Sequence, residues 1–174
     1  MPWNESTDNE IKYFSGTACY SRQLHLKSLD RRCRYILDLG EVKNLAVVRV
    51  NGKVCATLWH SPFTADITNA LHGGNNTLEI DVTNLWVNRM VGDEQEPDDV
   101  EWSEPVAFGT SSIGRFMKEI PSWLRQGLPR PTKRKTVVSM KFFDKDTPLL
   151  RSGLIGPVAL QKRVADATLP SVKE

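Results

Sequence analysis

The segment Thr83–Arg89 carries a dense set of side chains that could bind a sugar. It reads Thr-Asn-Leu-Trp-Val-Asn-Arg, which places one indole, two amides and one guanidinium at Trp86, Asn84, Asn88 and Arg89. Amide and guanidinium groups donate hydrogen bonds to hydroxyl oxygens. An indole offers a flat apolar surface on which the apolar face of a pyranose ring can stack. These residue types at this spacing therefore indicate a carbohydrate-binding site.

A further aromatic candidate is Trp59, which stands near the end of a strand pattern in the run Trp-His-Ser-Pro-Phe. A structural role for the same residues is also open, with the indole in the core, the guanidinium paired to an acid and the amides bonded to loop backbone. Spacing alone does not separate the two interpretations. The candidates for carbohydrate binding are Trp59, Asn84, Trp86, Asn88 and Arg89.

Two charged runs are the other feature that could carry chemistry. Seven acidic residues and no basic residue fall between Asp93 and Glu104, and a short basic run lies between Arg130 and Lys135. Glycoside hydrolysis needs two carboxylates about 5 Å or about 6.5–9.5 Å apart, held on rigid elements in a cleft. The acidic run is predicted to be a loop, so we assign no catalytic residue to it. Calcium would use the same oxygen ligands, but the spacing does not fit an EF-hand and we predict no metal site. We interpret both runs as solvated faces.

Motifs for other reactions are missing from the sequence. It contains no G-x-S-x-G elbow, no P-loop and no G-x-G-x-x-G. Its three histidines lack metal-ligand spacing, and its three cysteines form no C-x-x-C pair. We therefore expect no enzymatic activity from this chain and no cofactor.

The composition is that of an ordinary globular domain, with 174 residues of which 40% are hydrophobic and 25% are charged. A net charge of +2 is too small to indicate a nucleic-acid partner. No apolar run approaches the roughly 20 residues of a membrane span. The first residues have neither the basic head nor the apolar core of a secretory signal, and the localisation stays open.

The elements that must position the candidate residues are β-strands, because hydrophobic side chains recur with a period of two. About eight strands are predicted, including 18–26, 34–39, 45–50, 53–59, 77–82, 135–143 and 154–162. Asn51-Gly52 between two strand patterns predicts a two-residue type I′ hairpin turn. Short helical turns are expected only near 66–71, with Asp66 as N-cap, and near 118–126. The pattern favours an antiparallel all-β sandwich.

The strand pattern is interrupted at residues 93–134, which we predict to be one long loop excursion from the sandwich. Loops of this length are often functional or bind a partner. The predicted organisation is an N-terminal tail at 1–10, a β-sandwich at 11–162 and a C-terminal tail at 163–174.

An ordered series of short motifs resembles a known family. The motifs are Val50-Asn51-Gly52, Pro62-Phe63, Asp66-Ile67-Thr68, Gly74-Asn75-Asn76-Thr77-Leu78 and Val82-Thr83-Asn84. The series resembles the sugar-binding β-sandwich of glycoside hydrolase family 2, which has a galactose-binding-like jelly-roll fold.

Four longer stretches narrow this resemblance to one group of enzymes. They are Tyr13–Ala18, Leu39–Ala46, Asn84–Arg89 and Ser152–Val158. They are similar to the C-terminal module of large bacterial enzymes related to the family 106 α-L-rhamnosidases, typical of gut polysaccharide degraders. The family motif that begins at Asn84 usually continues with Leu-Ile-Gly-Asp, and here the continuation is Met-Val-Gly-Asp.

The resemblance implies that the catalytic carboxylates lie in a separate, larger domain for which this chain has no room. We therefore expect a non-catalytic accessory β-sandwich module of a glycoside hydrolase, either a stand-alone relative or a piece of a larger protein. Its partner would be a catalytic domain from the same gene or a neighbouring chain. An independent low-affinity carbohydrate-binding protein is the alternative, and a hydrolase in its own right is a third possibility. Relatives of this kind are usually exported to the periplasm or the exterior.

Overall fold

The computed structural model of the chain describes residues 1–108, 111–112 and 114–164. The chain divides into two compact units. The sandwich unit consists of Met1–Pro2, Gly16–Leu85 and Ser152–Glu174, and the excursion unit consists of Trp3–Ser15 and Trp86–Arg151.

The described residues form thirteen strands and three short α-helices. The strands are β1 (Thr17–Leu26), β2 (Cys33–Asp38), β3 (Glu41–Lys43), β4 (Leu45–Val50), β5 (Lys53–Leu58), β6 (Thr64–Asp66), β7 (Gly74–Thr83), β8 (Ala107–Phe108), β9 (Ser111–Ser112), β10 (Arg115–Phe116), β11 (Met140–Lys141), β12 (Gly153–Gly156) and β13 (Ala159–Val164). The helices are α1 (Asn9–Lys12), α2 (Val87–Asp93) and α3 (Ser122–Arg125), with 3-10 turns at Trp3–Glu5 and Thr68–Ala70.

The sandwich unit is built from antiparallel sheets, as its hairpin and turn signals predict. One sheet has the strand order β1-β7-β4-β5, a second has the order β13-β2-β6, and β12 pairs with β3. The long strands β1 and β7 pair over their whole length, from Thr17 opposite Thr83 to Leu26 opposite Gly74. These nine strands confirm the predicted antiparallel all-β sandwich. The described residues contain thirteen strands in all, against the roughly eight predicted for the whole chain.

Alternate side chains of the central strands form the core of the sandwich unit. On β4 and β7 every second residue is buried, whereas the residues between them are half-buried or polar. The second sheet contributes alternate residues of β2 in the same way. The buried set is Cys33, Tyr35, Leu37, Leu39, Val42, Ala46, Val48, Val50, Ala65, Ile67, Leu71, Leu78, Ile80 and Val82. The period of two read in the sequence therefore arises because one face of each strand faces the other sheet.

The turn between β4 and β5 confirms the predicted hairpin. Asn51 has a φ of 52° and Gly52 a φ of 77°, the positive pair that a type I′ turn requires. The Asn51 side chain also donates to the carbonyl of Ala70 at 2.8 Å and to Oδ1 of Asn76 at 2.9 Å. Its own Oδ1 accepts from the amide of Thr77 at 2.9 Å. The turn is thus tied to the loop that leads into β7.

The predicted strand at 135–143 is wrong, because only Met140–Lys141 is a strand there. The amides of Lys135 and Thr136 donate to the carboxylate of Asp93 instead of to a neighbouring strand. At these two residues the Asp93 side chain accepts the hydrogen bonds that a neighbouring strand would otherwise accept. The alternation of apolar and polar residues in the sequence does not show this difference.

The helical segments agree with the sequence in part. The predicted turn near 66–71 is present as the 3-10 turn Thr68–Ala70, but the prediction of Asp66 as its N-cap is wrong, because Ile67 is the N-cap and makes no side-chain capping bond. Asp66 lies one residue earlier, and its carboxylate accepts from the amide of Thr68 at 3.0 Å. The second turn begins directly after Pro121 as α3. Helix α2 was not predicted.

Candidate functional site

Helix α2 places two charged side chains of the excursion unit on one face. Arg89 and Asp93 stand four residues apart, a spacing that brings side chains together on an α-helix. The Nε of Arg89 donates to Oδ1 of Asp93 at 3.1 Å. The Arg89 side chain is only 13% exposed, so this ion pair is largely shielded from water.

The Asp93 carboxylate organises the segment that faces α2. Its Oδ1 accepts from the amide of Lys135 at 3.0 Å, and its Oδ2 accepts from the amide and the hydroxyl of Thr136 at 2.7 and 2.6 Å. Burial acts to raise the pKa of Asp93, but the hydrogen bonds from Thr136 and Lys135, together with the charge of Arg89, outweigh it and hold the pKa below its ordinary value. Asp93 is therefore ionised and fully bonded.

A glycine in the last turn of α2 allows the N-terminal segment to pack against the helix. A β-carbon at Gly92 would lie 2.6 Å from Cβ of Tyr13 and 2.5 Å from an Nη atom of Arg89. The guanidinium of Arg89 lies over the Tyr13 ring, 5.9 Å from its centroid. Trp3 and Phe14 meet edge to face in the same unit, with ring centroids 5.4 Å apart.

An open cleft of about 380 Å³ lies beside α2 within the excursion unit. Its walls are formed by Ser15, Trp86, Arg89, Met90, Lys135, Thr136, Val137 and Val138. Trp86 is 72% exposed, which is high for so large an apolar side chain. Lys135 forms an ion pair with Glu10. The cleft thus combines an exposed indole, a guanidinium, two hydroxyls and an apolar floor.

The five candidate residues have different surroundings. Trp86 and Arg89 line this cleft. Asn88 is buried in the excursion unit, where its amide donates to the carbonyl of Leu150 at 2.7 Å and accepts from the amide of Leu150 at 2.8 Å. Asn84 is buried in the sandwich unit, where its Oδ1 accepts from the amide of Gly16 at 3.0 Å.

Trp59 belongs to the sandwich unit and follows β5. It is 71% exposed, and its ring meets the His60 ring edge to face at 4.6 Å. The two amides of the Thr83–Arg89 motif therefore bind backbone groups, while Trp86 and Arg89 are lining residues of the cleft.

The interpretation of the two charged runs as solvated faces is wrong, because they bind each other inside the excursion unit. Arg134 is 6% exposed, and its Nη1 donates to Glu94 at 2.9 Å and its Nη2 to Asp98 at 2.7 Å. Arg134 also donates to the carbonyls of Pro97 and Glu96 at 2.8 and 3.0 Å. Burial acts to lower the pKa of Arg134, but Glu94 and Asp98 outweigh it and raise the pKa above its ordinary value.

Arg130 forms a second ion pair between the basic run and the acidic run, with Asp99 as its partner. It donates to both oxygens of Asp99 at 2.5 and 3.1 Å, and Thr132 donates to the same carboxylate at 2.6 Å. Burial acts to raise the pKa of Asp99, and the bonds from Arg130 and Thr132 reverse that shift and hold it below its ordinary value. The acidic run is a folded, charge-paired structure and not a free acidic loop.

Clusters that could hold a metal ion do not occur among the described residues: no group of three or more His, Cys, Asp or Glu side chains is suitably placed there. In the same part of the chain, no helix has the length and apolar character to cross a membrane.

Sequence reasoning missed the residues that complete the cleft. Asp93 was seen only as a member of the acidic run, although its spacing of four from Arg89 would have indicated a pair if a helix had been predicted. The segment 135–138 was read as part of a strand. Nothing in its residue types signals that it lies beside α2, because that proximity depends on side-chain bonds between distant parts of the chain.

The comparison with known proteins defines the class. Residues 2–123 match the glycosyl hydrolase 2 galactose-binding domain-like family. This match covers most of the chain, and the chain belongs to that family of β-sandwich domains. The resemblance read from the motifs is therefore confirmed.

Individual relatives are larger proteins. A protein of Formosa agariphila named “Putative beta-glucuronidase” is 42% identical over 160 residues, which are 91% of this chain and 13% of that protein. The structure of a rhamnosidase from Novosphingobium sp. PP1Y is 36% identical, with a TM-score of 0.66, and covers 93% of this chain and 12% of that one. A beta-glucuronidase from an uncultured Clostridium sp. aligns with 48% of this chain at 31% identity and a TM-score of 0.44. The chain spans about one eighth of the first two relatives.

Proposed function

We propose that this chain acts as a non-catalytic accessory domain of a glycoside hydrolase and supports a catalytic domain elsewhere in the enzyme. The observation that carries the proposal is that the alignment with a relative covers nearly all of this chain but only a small part of the relative. The Novosphingobium rhamnosidase matches 93% of this chain with only 12% of its own length. An activity of the whole enzyme can then reside in the remainder, with the sandwich as an added unit.

The state of the acidic residues supports the same proposal. Asp93, Glu94, Asp98 and Asp99 are the acids of the run that form the closest ion pairs and hydrogen bonds to cationic and backbone groups. A general acid needs a raised pKa, whereas the pKa values of Asp93 and Asp99 are lowered. Asp93 and Asp99 are therefore suited to holding structure and not to donating a proton.

A turnover assay tests the absence of catalysis. The chain is incubated with a panel of aryl glycosides that includes an α-L-rhamnoside and a β-D-glucuronide, and no release of the aryl group is expected. Turnover that disappears when an acid between Asp93 and Glu104 is replaced would overturn the proposal.

A domain exchange tests the supporting role. The matching region of the Novosphingobium rhamnosidase is deleted in one variant and replaced by this chain in another. We expect the deletion to reduce the yield of folded enzyme or its unfolding temperature, and the exchange to restore a substantial part of it. A deletion that leaves both quantities unchanged would show that the domain supports nothing.

An independent carbohydrate-binding function is the second candidate, and the exposed Trp86 beside Arg89 favours it. In this case the isolated chain would bind sugar without any catalytic domain. Titration of the isolated chain with simple glycosides separates the two functions. The carbohydrate-binding function requires that the chain bind a glycoside, whereas the accessory role does not.

A further inference from the structure

We propose that the cleft beside α2 binds a single neutral pyranose unit through two adjacent hydroxyls. Trp86 would cover the apolar face of the ring, and the two Nη atoms of Arg89 would donate to the hydroxyl oxygens. This proposal rests on the second candidate function above, and it names the ligand class and the residues that select it.

The Arg89 guanidinium is the part of the cleft that is most specifically arranged. Its Nε is held by Asp93 at 3.1 Å, which leaves the four N–H groups on the two Nη atoms. Among the described residues, no acceptor of the chain takes a hydrogen bond from these groups. The guanidinium is therefore held at Nε, and its two Nη atoms keep N–H groups that a ligand can take, although only 13% of the side chain is exposed. Arg89 is one of the residues that line the cleft. A fixed planar fork matches two oxygens on neighbouring atoms.

The indole supplies the other half of the recognition. Trp86 is exposed although Met90, Val137 and Val138 provide an apolar floor in the same cleft. A pyranose has one face of C–H groups and an edge of hydroxyls, so it can meet an apolar wall and a donor fork at once. Thr136 also lines the cleft. Its hydroxyl donates its proton to Asp93, so the hydroxyl oxygen can act only as an acceptor toward a ligand.

The charge balance favours a neutral ligand over an anionic one. Both cations of the cleft already have a carboxylate partner, since Arg89 binds Asp93 and Lys135 binds Glu10. A ligand carboxylate on the Arg89 fork would bring a second negative charge close to Asp93 in a partly shielded site, where like charges repel more strongly than in water. A pair of neighbouring hydroxyls meets the same fork without that repulsion.

The size of the cleft favours one sugar unit. Its volume of about 380 Å³ lies near the lower end of the roughly 300–1,000 Å³ of typical ligand sites. A longer oligosaccharide would have to extend beyond the walls named above, so a terminal or branch residue fits best.

The binding experiment uses the whole chain and four probes. Methyl α-L-rhamnoside and methyl β-D-galactoside are neutral pyranosides with adjacent hydroxyls, sodium glucuronate is anionic, and tetrahydropyran-2-methanol has the ring without adjacent hydroxyls. Binding is followed by ligand-observed NMR and by tryptophan fluorescence. We expect at least one neutral pyranoside to bind, and both other probes to bind at least ten-fold more weakly.

Variants then locate the site. Trp86→Ala should weaken binding at least ten-fold with an unchanged unfolding temperature, because the side chain is exposed. Arg89→Lys keeps the charge but loses the fork and should weaken binding about ten-fold. Trp59→Ala removes an equally exposed tryptophan from the other unit and should leave the affinity unchanged.

Three results would overturn the proposal: no binding of any neutral pyranoside, tighter binding of glucuronate, or a loss of binding in Trp59→Ala but not in Trp86→Ala. None of these results would touch the non-catalytic accessory role, which the turnover and exchange experiments test separately.

Discussion

The guanidinium of Arg134 lies 2.9 Å from Oε1 of Glu94, although 40 residues separate them in the chain. The arginine also binds two carbonyls of the segment that follows Glu94, so the basic run is inserted into the acidic run. Lys141 completes the arrangement by contacting Glu94 at 2.5 Å and Asp98 at 3.2 Å. These contacts connect the acidic run with the segment that contains Arg134 and Lys141 inside the excursion unit.

Replacement of Arg134 by Met should destabilise the protein strongly. The change leaves the Glu94 carboxylate, whose side chain is 10% exposed, with one cation fewer. Breaking a buried pair typically costs about 3–5 kcal/mol. Because Lys141 still neutralises Glu94, we expect a loss near the lower end of that range in the free energy of unfolding, measured by urea denaturation. Arg125→Met is the matched control, since Arg125 is exposed and lies 3.9 Å from Glu119, and it should cost less than about 1 kcal/mol. Equal effects of the two changes would contradict this role of Arg134.

Low pH should reduce the free energy of unfolding, and part of this reduction should come from protonation of Asp93. Its folded pKa is lowered, so its contribution to stability is complete above the unfolded value of about 3.9 and is lost as the pH falls through the folded value. In Asp93→Asn this contribution is absent at every pH. The difference in unfolding free energy between the parent and Asp93→Asn should therefore be constant at neutral pH and shrink below about pH 4. Denaturation curves at a series of pH values measure it, and a difference that stays constant into acid would contradict the lowered pKa.

Replacement of Gly52 by Val should destabilise the hairpin. No atom lies within 4 Å of a β-carbon at this position, so crowding is not the cause. The cost comes from the φ of 77°, which a β-branched residue adopts only with strain of about 1–3 kcal/mol. Gly52→Asn should be milder, because asparagine tolerates this region. Gly73→Ala is a control glycine in a nearby turn with its closest neighbour at 3.9 Å. A denaturation midpoint unchanged by Gly52→Val would contradict the turn assignment.

Asn76 should matter far more than its neighbour Asn75. The buried amide of Asn76 donates to the carbonyls of His72 and Gly74, and its Oδ1 accepts from the His72 amide at 2.9 Å. Asn76→Ala leaves these groups unpaired and should cost at least about 1–3 kcal/mol. Asn75→Ala removes only an exposed contact with His25 and should stay within about 0.5 kcal/mol. Both are measured by thermal unfolding, and similar losses in the two variants would argue against the buried network.

The sequence by itself determined the sandwich unit well. Its strands face a core on one side and water on the other, so their alternation is visible residue by residue, as in Leu78, Ile80 and Val82. The Asn51-Gly52 turn was equally readable, because two adjacent residues that adopt positive φ leave a local signature. The ordered motifs from Val50 to Asn84 were sufficient to indicate the family, which the family match confirms.

Only the tertiary structure decided the composition of the candidate site. Within the motif Thr83–Arg89, the amides bind backbone while the indole and the guanidinium face a cleft, and the residue types alone allowed either outcome. Arg89 depends on Asp93, and Asp93 depends on the segment that begins at Lys135. The acidic run and the basic run likewise form ion pairs with each other, although 40 residues separate Glu94 from Arg134. Hydrogen bonds and ion pairs of this kind have no period in the sequence, because they are set by which segments meet in space and not by the geometry of one strand.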